Sequence, residues 1–427
     1  MISGINMPKY YIWTIGCQMN KAESQRVADY LELLGYQATH ILRSANLVVL
    51  NTCVVRQSAE SKVIGMLGYL KGMKNNKPSL AIVVTGCFVD SDVKQLEKTF
   101  PYVDLFFKPG AYDGLLNWAE KQGIGIPAYG TDLPLNNNVA VNALVPIIQG
   151  CNNFCSYCIV PYRRGREKSR PIEEVVCDVT ELVKGGVREV TLLGQNVNSY
   201  GHDLPAQPEL ANLLTELNYV DGLARIRFLT NHPKDMSRKL IQDIASLDKV
   251  CEHISLPFQT GDNDVLNAMR RGYTVEQYRQ LVGNIRNYIH GVALSTDVIV
   301  GFPNESEEQF ERTLAMLEEI RFDTVHVAAY STRPDTIASR EYEDNVSPDI
   351  KKDRLNRVES VQAKIATDIN SQLNGKTVEI LVEGNKGGKW YGRTRSNKLV
   401  FFESDADCLG LLIDVTITKT SPWALQA

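Results

Sequence analysis

The sequence predicts an α/β protein in three parts. These are an N-terminal open parallel α/β domain over residues 1–135, a central partial (β/α)6 barrel over 140–371, and a small C-terminal β-barrel over 372–427. Three observations predict it. In the first third, short apolar runs that each close on a cysteine alternate with helix-period stretches. In the middle, six further strand-like runs alternate with helical ones, and at the end short β-like runs are parted by glycine-rich turns.

The N-terminal runs are Tyr10 to Ile15 leading to Gly16-Cys17, Leu47 to Leu50 leading to Asn51-Thr52-Cys53, and Leu80 to Val84 leading to Thr85-Gly86-Cys87. Between them, Ala22 to Leu34 and Ala59 to Lys71 repeat apolar residues at three and four residue intervals, as amphipathic helices do. Strand and helix alternating in this way imply a parallel sheet with right-handed crossovers. The loops after its strands gather at one edge, so Cys17, Cys53 and Cys87 are expected to converge. Read singly, each is also an ordinary buried thiol at a strand end.

A junction is expected near Pro127 to Asn138, where Pro, Gly and Asn cluster without periodicity. Beyond it the six strands fall near Leu144 to Gln149, Glu189 to Leu193, Ala224 to Leu229, Glu252 to Leu256, Ala293 to Val300 and Thr324 to Tyr330. Thr274-Val275-Glu276-Gln277 and Ser306-Glu307-Glu308-Gln309 fit the capping box of a helix start. Ile350 to Leu373 reads as a long linking helix, followed by β-like runs at Thr377 to Val382, Leu399 to Phe402 and Leu411 to Ile417.

Composition admits this and excludes other classes. The chain has 427 residues, 44% hydrophobic and 22% charged, which is ordinary for a globular protein and not for a disordered or collagen-like one. The opening residues lack a charged and then apolar leader, and nowhere do 18 uncharged apolar residues run together, so no membrane span and a cytoplasmic location are expected. Nine cysteines, an odd number, favour metal ligation or catalysis over a disulfide framework. Cys177, Cys251 and Cys408 read as spare thiols.

Cys151, Cys155 and Cys158 form a CxxxCxxC run just after a strand. Three thiolates within eight residues can wrap one face of an iron-sulfur cube and leave one iron open to hold something else. A structural zinc site is the alternative, but it takes four ligands in CxxC-type pairs, and no second pair or suitably spaced His follows.

The spacing resembles that of the radical S-adenosylmethionine (SAM) enzymes. Gly16-Cys17-Gln18-Met19-Asn20, Asn51-Thr52-Cys53, Thr85-Gly86-Cys87, the CxxxCxxC run, Gly194-Gln195-Asn196-Val197-Asn198-Ser199-Tyr200 and Asp297-Val298-Ile299-Val300-Gly301-Phe302-Pro303 together resemble the methylthiotransferases, across essentially the whole chain. Cys-Gln-Met-Asn and Gly-Gln-Asn-Val-Asn-Ser-Tyr resemble the tRNA-modifying, MiaB-type branch rather than the ribosomal-protein branch or the one acting on threonylcarbamoyl-adenosine. A non-catalytic iron-sulfur carrier or RNA-binding protein is the alternative of another class.

The resemblance implies methylthiolation at C2 of N6-isopentenyladenosine at tRNA position 37. It implies SAM and two [4Fe-4S] clusters as cofactors, one cluster on Cys151, Cys155 and Cys158 that cleaves SAM, the other on Cys17, Cys53 and Cys87 with an open iron that holds sulfur. It further implies an electron donor such as flavodoxin or ferredoxin, a sulfur source, and a monomer. Carried onto this sequence, Gly194, Gln195 and Asn196 would meet the SAM amino group, Gln259 its ribose or carboxylate, and Tyr157, Val300 and Gly301 its adenine. His253 reads either as a core histidine or as a group with proton chemistry.

The net charge of −4 does not mark a protein coated for nucleic acid, but its distribution matters more. Arg163, Arg164, Arg166, Lys168 and Arg170 crowd around the single acid Glu167. Lys386, Lys389, Arg393, Arg395 and Lys398 interleave with Trp390 and Tyr391. Basic groups neutralise phosphates and aromatic faces stack on unpaired bases, so contacts to a tRNA anticodon stem-loop are expected from Arg163, Arg164, Arg166, Arg170, Lys389, Trp390, Arg393 and Arg395. Either cluster reads equally as a solvated face. The C-terminal runs resemble a TRAM domain, an RNA-binding module.

Overall fold

A computed structural model describes residues 7–55, 57–89, 92–124 and 140–427. The junction expected near Pro127 to Asn138 lies outside the described residues. The chain forms two compact units, the first joining the N-terminal part to Cys158–Arg166, the second comprising the stretch up to Tyr157 and Glu167–Ala427.

In the first unit β1 (Lys9–Thr14), β2 (Gln37–Ala38), β3 (Leu47–Thr52), β4 (Ala81–Gly86) and β5 (Leu105–Phe106) form one sheet in the order β2-β1-β3-β4-β5, parallel throughout. Helices α1 (Gln18–Leu33), α2 (Gln57–Asn76) and α3 (Val93–Thr99) connect its strands, and α4 (Asp113–Lys121) follows the last of them. Every residue of β3 is buried, because parallel strands covered on both faces carry apolar side chains in both directions. Val48 and Leu50 enter one core with Ile82 and Val84, while Leu47 and Val49 enter the other with Val83. The short α5 (Val160–Arg164) completes this unit, with Ile159 and Tyr162 packed about Val54, Cys87 and Phe88.

The second unit begins with β6 (Asn142–Pro146), β7 (Ile148–Gln149), β8 (Lys168–Ser169), β9 (Glu189–Leu193), β10 (Arg225–Phe228), β11 (His253–Ser255), β12 (Ala293–Val300) and β13 (Thr324–Ala329). Two three-stranded parallel sheets, β6-β9-β10 and β11-β12-β13, meet at a parallel bridge between Ile226 and Val250. All six expected central strands are present, the first of them split in two at Ile147. Helices α6 (Ile172–Lys184), α7 (Leu210–Asn218), α8 (Arg238–Ser246), α9 (Asn263–Ala268), α10 (Val275–Tyr288), α11 (Glu307–Ile320) and α12 (Ile337–Glu341) lie between and after them. Thr274 and Ser306 both close capping boxes, with Gln277 and Gln309.

Helix α13 (Pro348–Ser371) leads to a six-stranded sheet made of β14 (Thr377–Lys386), β15 (Lys389–Thr394), β16 (Leu399–Phe402), β17 (Leu412–Thr416), β18 (Lys419–Thr420) and β19 (Leu425–Gln426). Here β15 is a strand the sequence did not announce, because its basic and aromatic residues read as a patch. Among the described residues no helix is long and apolar enough to cross a membrane.

The C-terminal module docks on the N-terminal ends of the central strands. Arg225 and Arg227, one pleat apart on β10, share a face. Arg225 donates to the Arg393 carbonyl at 2.6 Å and pairs with Glu379 at 2.8 Å. Arg227 donates to the carbonyls of Arg395 (2.8 Å) and Thr394 (2.7 Å) and pairs with buried Glu189 at 3.0 Å.

Candidate functional site

Cys17, Cys53 and Cys87 each follow a strand of the parallel sheet, and their loops are fastened to one another by side chains of the same motifs. Asn20 donates from Nδ2 to Asn51 Oδ1 and to the Thr52 carbonyl, both at 2.9 Å. Asn51 returns its Nδ2 to the Asn20 carbonyl at 2.7 Å and to Ser24 Oγ at 3.0 Å. The Cys17 thiol donates to Asn20 Oδ1 at 3.3 Å, and the Cys87 N–H donates to the Thr52 carbonyl at 2.8 Å.

Two glycines allow this approach. Gly16 has φ +135°, and a Cβ there would lie 2.8 Å from Cys53 Cβ and 2.7 Å from Asn20 Oδ1. Gly86 has φ +93°, and a Cβ there would lie 2.3 Å from the Thr52 carbonyl oxygen.

Cys53 and Cys87 are buried, whereas Cys17 is exposed. Burial pushes the Cys87 thiol up to about 11, opposed by Arg164 and reinforced by Cys53 and Glu23. Arg164, 7% exposed, donates from Nε to Cys87 Sγ at 3.3 Å and pairs through both terminal nitrogens with Glu23, at 2.5 and 3.2 Å.

In the second unit Cys151 and Cys155 lie on the loop that leaves β7. Gly150 N–H donates to Gln195 Oε1 at 2.6 Å, and Asn152 donates through its backbone and its amide to Glu167, each at 3.1 Å. Ser156 holds the loop to the end of α9, Oγ to the Ala268 carbonyl at 2.7 Å and N–H to that of Met269 at 3.0 Å. Burial pushes the Cys151 thiol up to about 11. Cys158 is partly buried at the loop's end.

Arg271 is buried beside this loop. Its hydrogen bonds go to Cys155 Sγ (3.2 Å), the Tyr157 and Tyr273 hydroxyls (3.4 and 3.2 Å) and the Pro257 carbonyl (3.1 Å), none of them an acid. A buried guanidinium calls for a negative partner, and a metal-bound thiolate is one.

Among the described residues no three His, Cys, Asp or Glu side chains are placed to hold a single metal ion. Cys87 and Cys155, soft thiols that each accept from a buried arginine, suit ligation of iron-sulfur clusters, whose irons occupy separate corners.

The residues expected around SAM occupy the C-terminal ends of the central strands. Gly194 follows β9 and packs against Ile148. Asn196 donates to Asp235 at 2.7 Å, and its buried Oδ1 has no partner in the protein. Gln259, at φ 72°, bridges to Val298 and likewise leaves a buried Oε1 without a partner. Gly301 follows Val300 on β12, but its N–H goes to Glu305 at 2.6 Å. Tyr157 packs beside Met269, Phe302 and Tyr330.

Sequence reasoning missed Asn231 and His232, which follow β10 as Gly194 to Asn196 follow β9. Asn231 Oδ1 and His232 Nε2 are also buried without partners. Burial, then Arg271 and Lys234, hold His232 down to about 2, so it is neutral. The Asn-Val-Asn-Ser-Tyr motif serves largely as scaffold. Asn198 exchanges bonds with the backbone of His232 at 2.8 and 2.9 Å, and the Tyr200 hydroxyl reaches the Arg170 carbonyl at 2.6 Å.

The basic residues separate into two kinds. Arg164 is buried on Cys87 and Glu23, and Arg395 is spent on Glu252 (2.6 Å) and the carbonyls of Asp248 (2.9 Å) and Val250 (2.7 Å), so the donors expected to meet phosphate are engaged within the protein. Arg170 pairs with Asp178 at 2.6 Å, Arg393 with Glu383 at 3.5 Å, and Lys398 with Asp323 at 2.7 Å. Trp390 is half-buried and donates to the Ser404 carbonyl at 3.2 Å. Arg166, Lys168, Lys386 and Lys389 are exposed, Lys389 beside exposed Glu403, and Arg163 is half-buried. His253 opens β11, buried against the charges of Arg227, Arg393 and Lys398 at the docking end.

Comparison with known proteins finds three family matches: the radical SAM superfamily over residues 145–317, an uncharacterized family, UPF0004, over 9–108, and the TRAM domain over 371–427. A tRNA-2-methylthio-N(6)-dimethylallyladenosine synthase of Dehalococcoides mccartyi strain CBDB1 is 52% identical, covering 99% of this chain and 98% of that protein. The protein of the same name from Herpetosiphon aurantiacus is 45% identical, covering 98% and 96%. Among solved structures, the radical S-adenosylmethionine methyltransferase TsrM from Kitasatospora setae matches with a TM-score of 0.56 at 14% identity, covering 78% of this chain and 77% of that one. That likeness is one of fold.

Proposed function

Because the chain belongs to the family of tRNA-2-methylthio-N(6)-dimethylallyladenosine synthases, we propose that Cys151, Cys155 and Cys158 hold one of its clusters and Cys17, Cys53 and Cys87 the other. The enzyme is a radical SAM methylthiotransferase that modifies C2 of N6-isopentenyladenosine at position 37 of tRNA, giving 2-methylthio-N6-isopentenyladenosine, with SAM and two [4Fe-4S] clusters as cofactors. When bound, these groups supply one-electron cleavage of a sulfonium, a radical able to take hydrogen from carbon, and an iron that holds sulfur.

The chain's own residues bind and orient. Asn20 and Asn51 keep the loops of Cys17, Cys53 and Cys87 in one arrangement, and Ser156, Gln195 and Arg271 do the same for the loop of Cys151 and Cys155. SAM is held by the loops after β9, β10 and β11, where Asn196, Asn231, His232 and Gln259 each present a buried polar atom that lacks a protein partner. A buried polar group left unpaired costs about 1–3 kcal/mol, so four of them on successive strand ends support a polar ligand there. This is the observation that carries the assignment. Tyr157, Gly194, Val300 and Gly301 shape the same ends through backbone and packing, and Gln195 does so through its bond from Gly150.

Phosphate contacts to the tRNA anticodon stem-loop are assigned to Arg163 and Arg166 in the first unit and, in the second, to Lys386 and Lys389 on the exposed hairpin of β14 and β15. Trp390 is assigned a stacking contact. A flavodoxin or ferredoxin supplies the electron, a separate donor renews the sulfur, and the enzyme works as a cytoplasmic monomer.

The test is anaerobic incubation of the reconstituted, reduced chain with SAM and isopentenylated tRNA, reading the methylthio nucleoside and 5′-deoxyadenosine by mass spectrometry. Both products are expected from the wild type, and 5′-deoxyadenosine without thiolation from Cys17→Ala. Thiolation by Cys17→Ala with unchanged iron content would overturn the assignment of the first trio.

A further inference from the structure

Arg164 is brought to Cys87 by a five-residue helix with Pro161 at its start and Gly165, at φ 80°, just past its end. Ile159 and Tyr162, from the same segment, pack around Val54, Cys87 and Phe88, so the guanidinium meets the sulfur away from water. Its two terminal nitrogens are spent on Glu23, whose side chain is 9% exposed against 2% for the arginine. Nε is left for Cys87 Sγ, at 3.3 Å.

A buried ion pair does little for stability by itself, because desolvation offsets its Coulomb gain. A neutral thiol is also a weak acceptor. The arrangement makes sense when the sulfur is an iron-bound thiolate, which accepts strongly from a charged donor in a medium of low dielectric. Hydrogen bonds to the sulfurs and net charge nearby are two of the factors that set a cluster's reduction potential.

We propose that Arg164 is a positioning residue for the cluster on Cys17, Cys53 and Cys87, raising its reduction potential by donating to the Cys87 sulfur, with Glu23 holding the guanidinium in place and moderating its charge. The proposal rests on the assignment of that trio as cluster ligands. Reduction adds negative charge, which the cation and its N–H stabilise, so the two members of the pair act in opposite directions. Removing the arginine lowers the potential. Removing the carboxylate's charge raises it.

The experiment is a redox titration of the reconstituted full-length chain in the presence of SAM, monitored by electron paramagnetic resonance and following the cluster whose signal SAM does not perturb. Arg164→Gln is expected to shift its one-electron equilibrium about tenfold toward the oxidised form, a fall of about 59 mV. Arg164→Lys, which keeps the charge without the planar donor, should fall between that variant and the wild type, and Glu23→Gln should rise above the wild type. Where Arg164→Gln fails to take up the second cluster, the sign of the Glu23→Gln shift decides. Unchanged potentials in the loaded variants would reduce Arg164 to an anchor for α5 and overturn the proposal. A wild-type chain that loads only one cluster would instead overturn the ligand assignment beneath it.

Discussion

Asn20 and Asn51 hold each other by two reciprocal bonds, Nδ2 of the first on Oδ1 of the second and Nδ2 of the second on the backbone carbonyl of the first, at 2.9 and 2.7 Å. Both are fully buried, so neither amide can exchange its partner for water. Asn51→Leu keeps the volume but leaves the Asn20 amide and carbonyl short of partners, at a cost of about 1–3 kcal/mol. The expected result is a lower denaturation midpoint and iron content reduced by one cluster, with SAM cleavage retained. Loss of SAM cleavage alone would contradict it.

Arg395 and Lys389 are expected to part company although they belong to one basic stretch. Arg395→Ala strips Glu252 and two carbonyls of their donor, and bonds of this charged kind contribute about 1.5–3 kcal/mol each. Limited proteolysis should then release the C-terminal module. Lys389→Ala should leave stability unchanged, weaken tRNA binding, and reduce the salt dependence of that binding by about one unit of slope.

His253 predicts acid sensitivity. Burial, then the charges of Arg227, Arg393, Lys398 and His326, hold it down to about 3 from 6.5. A base depressed in the folded state is protonated first in the unfolded one, so stability is full above pH 6.5 and falls as pH drops toward 3. Denaturant titrations of the apo chain should lose about 2 kcal/mol between pH 6.5 and pH 5 from this group. His253→Gln should flatten that slope, and an unchanged slope would refute the assignment.

Arg271→Met removes the cation beside Cys155 while roughly keeping side-chain volume. The expected outcome is loss of 5′-deoxyadenosine formation and of one cluster's worth of iron, with the SAM-insensitive cluster signal intact. Retention of both clusters would show that Cys155 does not need the donor.

Much of this was legible in the sequence. Strands such as β3, buried on both faces, announce themselves as continuous apolar runs, and the capping boxes at Thr274 and Ser306 are local patterns. The convergence of Cys17, Cys53 and Cys87 follows from parallel topology. What stayed hidden depends on partners far along the chain. Glu23 lies 141 positions before Arg164, and Glu252 lies 143 before Arg395, so no spacing rule could separate a buried or docking arginine from a phosphate contact. Asn231 and His232 follow a strand without a glycine-marked motif, and only their unpaired buried atoms mark them out.

The docking of β14 and the end of β15 on Arg225 and Arg227 bears on how the chain can be cut. A truncation after α13, the obvious way to ask what the C-terminal module adds to RNA affinity, would strand two guanidinium groups whose acceptors are the carbonyls of Arg393, Thr394 and Arg395. The resulting fragment would be wounded in its core as well as shorn of a binding surface, and a grafted module from another protein would need the same row of carbonyls to heal it.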